Sequence, residues 1–197
     1  MKVTIQNGFP PELAPQAAAL YFAAFEGKIG GILGRDGRGL RFIESVIDPG
    51  HAISAVSADG KALLGIAGFK TSKGATVGGE LADLATIYGW FGAIWRGLIL
   101  SLLERDLEDD VLLMDGIAVS QAARGQGIGT KLLNAIFAEA ERREKKRIRL
   151  DVIDTNPRAR ALYERLGFIK IGTEHLGPLK ILFGFSSSAR MERAVSA

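Results

Sequence analysis

Apolar and polar residues first alternate from Val3 to Ile5, which predicts a short strand. Pro10 and Pro11 then open a helix expected to run to about Phe25, with Leu13, Ala17, Leu20, Phe22 and Phe25 as its core face. "EGKIGGILGRDGRG", Glu26 to Gly39, breaks the period and predicts a glycine-rich bend, after which Leu40 to Ile47 reads as a helix stopped by Asp48, Pro49 and Gly50. "HAISAVSA" and "ALLGIAGFKT" are β-rich runs on either side of Asp59-Gly60, a strong hairpin signal.

Helical spacing returns from about Glu80 to Asp106, and "VLLMDGIAV", Val111 to Val119, reads as a strand. A glycine-rich loop then starts a helix expected to reach about Arg147, followed by the strand "RIRLDVI". Asn156-Pro157 opens one more helix, asparagine accepting from orphan N–H groups and proline filling the first position, and Gly167 ends it. "FIKIGT" and "LKILFGF" supply two closing strands. This order predicts a mixed α/β sheet with helices on both faces. With no internal repeat and no long linker, residues 1–197 are expected to form one domain with a helical insertion at about 80–110.

The insertion contains the apolar segment Ile87 to Leu103. Arg96 sits in its middle, and its length falls at the short limit for a spanning helix of about 20 residues, so a membrane span is not expected. Phe91, Ile94, Trp95, Leu98 and Leu102 share one side of the helix, with Gly89, Gly92, Ala93, Arg96 and Gly97 on the other. The expectation is a helix buried in the domain or in a homodimer interface.

Composition narrows the chemistry. At 47% hydrophobic and 24% charged residues the chain has a soluble globular profile. The absence of cysteine excludes disulfides, thiolate nucleophiles and cysteine-ligated metals. The net charge of +3 owes much to "ERREKKRIR", Glu141 to Arg149, which reads as the solvated end of a helix; it lacks the interleaved aromatics of a nucleic-acid surface. "MKVTIQNG" has no apolar h-region, so cytoplasmic residence is expected. His51 and His175 are isolated, giving no metal expectation, and Glu80 with Asp83 suits a polar helix entrance.

The most informative stretch is "QAARGQGIGTKLL", Gln121 to Leu133, because glycine in or near a helix sacrifices stability, about 1 kcal/mol relative to alanine in the interior, and so calls for a reason. A Walker A loop requires lysine directly after the last glycine, whereas Thr130 precedes Lys131 here. A dinucleotide fingerprint would use Gly125, Gly127 and the distant Asp151, but its third glycine position is Thr130. A pyrophosphate loop fits better: Arg124, Gly125, Gln126, Gly127, Ile128, Gly129 and Thr130 would offer bare N–H groups at a positive helix end, with a guanidinium beside them. A tight turn with no ligand remains the bland alternative.

"GIAVSQAARGQGIGTKLL" followed by "DVIDTNPRARALYERLGF" resembles the GNAT superfamily of N-acetyltransferases, strongly from about Leu112 to Ile171 and weakly before it. The resemblance implies a single-domain, mostly antiparallel sheet with a V-shaped split between the strand ending at Val119 and the strand beginning near Arg147. It implies acetyl-CoA as donor, lying along Ile117, Ala118 and Val119, and direct transfer to an amine. Tyr163 would protonate the departing thiolate, and Asn156, two turns earlier, would touch the cofactor. Helix capping for Asn156 and packing for Tyr163 are the competing roles. Asp115 is a candidate base, expected by alternation on the same face as Ile117 and Val119, with a structural role equally open. Tyr88, Trp90, Trp95 and the segment Lys28 to Gly34 are candidate walls of an acceptor pocket, and a small-molecule amine is favoured over a peptide. A catalytically silent acyl-CoA-binding module and a nucleotide-binding oxidoreductase are the rival functions.

Overall fold

The computed structural model describes residues 2–101, 107–177 and 180–195. Strand β1 (Val3–Asn7) pairs antiparallel with β2 (Ala52–Ser57), which turns at Asp59-Gly60 into β3 (Leu63–Thr71). The short β4 (Gly74–Ala75) folds back on β3, and β5 (Val111–Val119) takes β3's other edge, antiparallel. Next come β6 (Arg147–Ile153), β8 (Ser187–Ala194) and β7 (Ile169–His175). The sheet order is β1-β2-β3-β5-β6-β8-β7, and β5–β6 is the one parallel pair of that path. The mixed, mostly antiparallel sheet thus matches the expected class.

Helices cover both faces. On one, α4 (Ile128–Arg142) turns Ile128, Leu132, Leu133 and Ile136 into a cluster with Ala67, Leu112, Ile148 and Leu150 of the sheet. Tyr163 of α5 (Pro157–Arg165) joins the same cluster. On the other face lies α1 (Ala14–Leu33), with Leu13 and Ala17 packed against Ala52, Ile66 and Ala118. Outside it, α2 (Arg38–Val46) and α3 (Leu81–Ser101) bury Phe42, Ile43, Leu84 and Ala93 against Ala18 and Leu33.

Several expectations need correction. The bend predicted at Glu26 begins only at Gly34, because α1 continues through Gly27, Gly30 and Gly31 to Leu33. Ile32 and Leu33 are buried there, and that burial offsets the poor helix propensity of the glycines. The long helix α4 stops at Arg142 rather than Arg147, with Glu144 at φ 55°. The basic run is therefore not one solvated helix end. Arg142 and Arg143 both bond Glu139, while Arg147 and Arg149 begin β6 and reach the carboxylates of Glu108 and Asp110.

The last predicted strand is also misplaced. Leu179 lies outside the described residues, and Lys180–Phe183 form a helical turn, α6, whose Phe183 is buried against Ile32. The closing strand is β8, where Met191 enters the core and the chain pairs on both sides, with β6 and with β7.

Candidate active site

Strands β5 and β6 are bonded only at Val111↔Arg147, Leu112↔Ile148 and Leu113↔Arg149. Beyond Leu113, β5 stays with β3 while β6 stays with β8, so the sheet opens in the V expected from the sequence. The edge of β5 along Ile117, Ala118 and Val119 thereby faces the opening with main-chain groups that β6 does not take.

A bulge controls which side chains enter each side of the V. Gly68 pairs with Gly116 and Phe69 with Met114, leaving Asp115 as an extra residue in β5. Met114 and Ile117 consequently belong to the α4 side, whereas Asp115 lines a cavity on the α1 side and a Cβ on Gly116 would collide with the ring of Phe25. Asp115 is therefore on the face opposite Ile117 and Val119, a correction that simple alternation could not supply.

The loop before α4 divides its three glycines between two tasks. Gly125 and Gly127 have φ of 75° and 74°, a left-handed conformation natural only to glycine, and a Cβ on either would meet nothing within 4 Å. Gly127 is the N-cap of α4 and has no side chain with which to cap its first-turn N–H groups. The exposed Arg124 and Gln126 fold back on the loop, through Arg124 Nε to the Val119 carbonyl (3.3 Å) and Gln126 Nε2 to the Ala122 carbonyl (3.2 Å). Gly129 differs: its Cβ would lie 3.2 Å from Leu162 and 3.9 Å from Ile117. At that point β5, α4 and α5 converge, and the bare glycine lets them approach.

On α5, Asn156 Oδ1 accepts from the Ala159 N–H at 3.2 Å, which is the capping role. Tyr163 lies 5% exposed, edge-on to Phe168 with centroids 5.7 Å apart, and burial pushes its phenol above the ordinary value of 10. The phenol is thus held protonated through the neutral range.

Across the sheet, a cavity of about 650 Å³ opens between α1, α2, α3 and the ends of β3 and β5. Asp115 and Lys70 are its charged residues among those described, and Tyr21 beside them has its hydroxyl pushed up by burial first and by the negative charge of Asp115 second. Phe25, Phe42, Leu84 and Leu100 give it apolar walls, and Thr71, Ser72 and Ser101 add hydroxyl groups to the lining. Ile29 and Leu33 of the predicted segment Lys28 to Gly34 do line it, as the last turns of α1.

The aromatic walls expected from the insertion do not reach this cavity. Tyr88 donates to the Leu33 carbonyl (2.6 Å), Arg96 Nε donates to the Ile32 carbonyl (2.9 Å), and the guanidinium packs on the rings of Tyr88 and Trp95. These residues close the C-terminal end of α1, where free carbonyls attract a cation. Trp90, Phe91, Ile94 and Leu98 point outward, with Phe91 86% exposed, so the apolar side of the helix is not buried in the domain. Leu102 lies outside the described residues. No helix among the described residues is long and apolar enough to cross a membrane.

Sequence reasoning missed Tyr21, Phe42, Lys70 and Leu84 as cavity residues, since they come from four separate elements with no shared spacing. It also missed the lock at the rim, where buried His51 joins Asp48 (Nδ1 to Oδ2, 2.6 Å) to Thr71 (Nε2 to Oγ1, 2.9 Å). Its ring stands where a Cβ of Gly74 would be, pinning the β3–β4 turn. Among the described residues no cluster of three or more His, Asp or Glu side chains could hold a metal ion.

Comparison with known proteins adds to this geometry. The model of the acetyltransferase (GNAT) family matches residues 15–168. A 5-NmdU N-acetyltransferase of Pseudomonas phage PaMx11 is 46% identical over 61 residues, 31% of this chain and 41% of that protein; the match spans about two-fifths of that relative's length. In three dimensions, an N-acetyltransferase from Staphylococcus aureus Mu50 superposes with a TM-score of 0.69 at 19% identity, over 96% of this chain and 100% of the other. The yncA protein of Salmonella typhimurium, solved with its cofactor acetyl-CoA, does so at 0.60 and 14% identity, over 100% and 96%. At such identities the two structures speak for the fold, while the family match covers most of the chain. The family model covers well over half of the sequence, and the chain belongs to the GNAT acetyltransferase family.

Proposed function

We propose that the protein transfers an acetyl group from acetyl-CoA to a primary amine held in the α1-side cavity. The observation that carries this reading is the pair Gly125 and Gly127, left-handed and open, before the uncapped start of α4 in a GNAT chain. The residues suit a diphosphate: bare N–H groups at the positive pole of a 15-residue helix, with Arg124 alongside. Arg124 through Thr130 would hold the cofactor, and the edge of β5 at Ile117, Ala118 and Val119 would receive its pantetheine arm. Acetyl-CoA supplies an activated thioester.

The chain's own groups divide the remaining work. A main-chain N–H on the free edge of β5 stabilises developing negative charge on the thioester oxygen, a contribution typically worth about 10² to 10³ in rate. An alkylammonium of pKa about 10.4 must lose its proton first, a cost of roughly 4.6 kcal/mol at neutral pH. Asp115 draws the ammonium into the cavity and, directly or through water, takes that proton. Tyr163, kept protonated by burial, gives a proton to the leaving sulfur, and Asn156 stays chiefly a helix cap.

Melting the protein with acetyl-CoA and separately with NADH, followed by release of free CoA in the presence of amines, tests the reading. A rise in melting temperature with acetyl-CoA alone and amine-dependent CoA release are expected. Binding without release would identify a silent acyl-CoA module, and stabilisation by NADH instead would overturn the proposal.

A further inference from the structure

The outward side of α3 faces solvent, and we propose that a second copy of the same protein covers it, packed helix against helix about a two-fold axis. Phe91, Leu98 and Trp90 are 86%, 66% and 65% exposed, with Ile94 at 50% and Trp95 at 36%. At about 150–250 Å² for a whole aromatic side chain, these fractions leave an apolar stripe on the order of 500 Å². Monomers rarely expose contiguous apolar surface beyond a few hundred Å². A standard dimer buries about 800 Å² on each partner, and about two-thirds of a homodimer interface is apolar. The stripe therefore supplies the apolar centre that such a dimer needs.

Spacing suits this helix to pairing with itself. Past the kink at Gly89 (φ 68°), residues 90–101 form a helix of about 18 Å. Phe91, Ile94, Trp95 and Leu98 stand three and four positions apart, the interval of closely packed helix pairs. They are also symmetric about a point between Ile94 and Trp95, so an antiparallel copy sets Phe91 against Leu98 of the other chain and Ile94 against Trp95. Such a contact closes at two chains. Trp95 is held in place by the guanidinium of Arg96, 4.2 Å from its ring. Charge favours a protein over a lipid surface: Arg96 is the basic residue of α3, and it is buried with Nε on the Ile32 carbonyl (2.9 Å). The helix thus brings no cation to lipid phosphates, as a membrane-surface helix does. With no charge in the stripe, a second copy meets no like charge. Leu84, Gly97 and Leu100 on the inner side of α3 line the cavity, so the second copy backs that wall.

Sedimentation velocity through the micromolar range tests the proposal: the wild-type chain should pass from 21.1 kDa to about twice that mass. Leu98→Glu sets a carboxylate from each copy against the facing chain and should weaken the dimer at least about a hundredfold. At dilute protein this and other polar replacements in the stripe should melt with the wild type, because the stripe is exposed in the single chain. The chain has no cysteine, so Phe91→Cys and Leu98→Cys chains, mixed, can be joined by a short bismaleimide. The mixture should crosslink faster than either chain alone and faster than Glu141→Cys, an exposed position on α4. Crosslinking decides the matter if Leu98→Glu fails to fold. A chain that stays at 21.1 kDa overturns the proposal, and its flotation with phosphatidylcholine–phosphatidylglycerol vesicles would then assign the face to a lipid surface. A dimer that survives Leu98→Glu, or that crosslinks no faster in the mixture, also overturns it.

Discussion

The glycines of the α4 loop and those beneath the aromatic rings of the α1 face serve opposite ends. On the α4 face, Gly125 and Gly127 leave space that no protein atom fills. On the α1 face, Gly39, Gly79 and Gly116 are bare because the rings of Phe22, Phe42 and Phe25 press on them. The first kind creates a docking place for main-chain donors, and the second shapes a cavity by letting aromatic rings approach the backbone. A glycine count alone does not separate them. Surroundings do: the open pair sits at a strand-to-helix junction with left-handed φ, and the covered ones lie under aromatic rings carried by α1 and α2.

That contrast can be broken by substitution. The largest effect is expected from Tyr163→Phe, which removes the proposed proton donor while keeping the edge contact with Phe168. Turnover should drop by about 10² to 10⁴ with the acetyl-CoA melting shift retained. Because burial raises this phenol above 10, wild-type turnover should show no loss from its ionisation below about pH 10. Unchanged turnover in the variant would leave Tyr163 a packing residue.

Gly116→Val should destabilise the protein by about 3 kcal/mol even without ligand, since the new side chain meets the Phe25 ring. Urea melts would show it, and a neutral result would mean that α1 moves freely over β5. Further along the α4 face, Glu139 is buried and bonded by Arg142 and Arg143; burial raises its carboxyl, but the two guanidinium groups outweigh this and hold it below the usual range. Glu139→Gln should therefore cost about 1–2 kcal/mol at neutral pH. A depressed carboxyl contributes stability above its unfolded pKa of about 4.3 and loses it as pH falls through the folded value. The difference between wild type and variant should accordingly shrink on acidification from about pH 5, and a constant gap would contradict the ion-pair account.

Gly127→Ala sharpens the comparison from the other side. Its left-handed φ should cost about 1–2 kcal/mol of stability, and the methyl group in the open niche should weaken acetyl-CoA at least tenfold in a titration. Equal loss of stability and unaltered affinity would make the loop a mere turn. The smallest change is expected for Phe91→Ser, within about 0.5 kcal/mol by thermal melting, because this ring is exposed on α3.

The loop and its helix were legible because their logic is local. Gly127, Ile128 and the residues after them specify a helix start within a few positions, as Asn156-Pro157 does for α5 and Asp59-Gly60 for the hairpin. The cavity was not legible in this way. Tyr21, Lys70, Leu84 and Asp115 are scattered along the chain, and nothing in their spacing announces a common wall. Periodicity on α3 separated two sides of the helix but did not say which one packs on the rest of the chain: Ala93 and Arg96 face inward, where α1's last carbonyls and a tight approach suit a cation and a small residue.

By itself, then, the sequence determined the elements whose geometry is set within about one helical turn: caps, the tight turn, the donor-rich loop, and the family they resemble. Tertiary structure decided the length of α1, the bulge that turns Asp115 toward the cavity, the strand at Ser187–Ala194, and the outward aromatic side of α3. Each of these depends on partners far away in the chain. Burial free energy and main-chain pairing exist only once those partners arrive, and they outweigh local preferences of about 1 kcal/mol per residue.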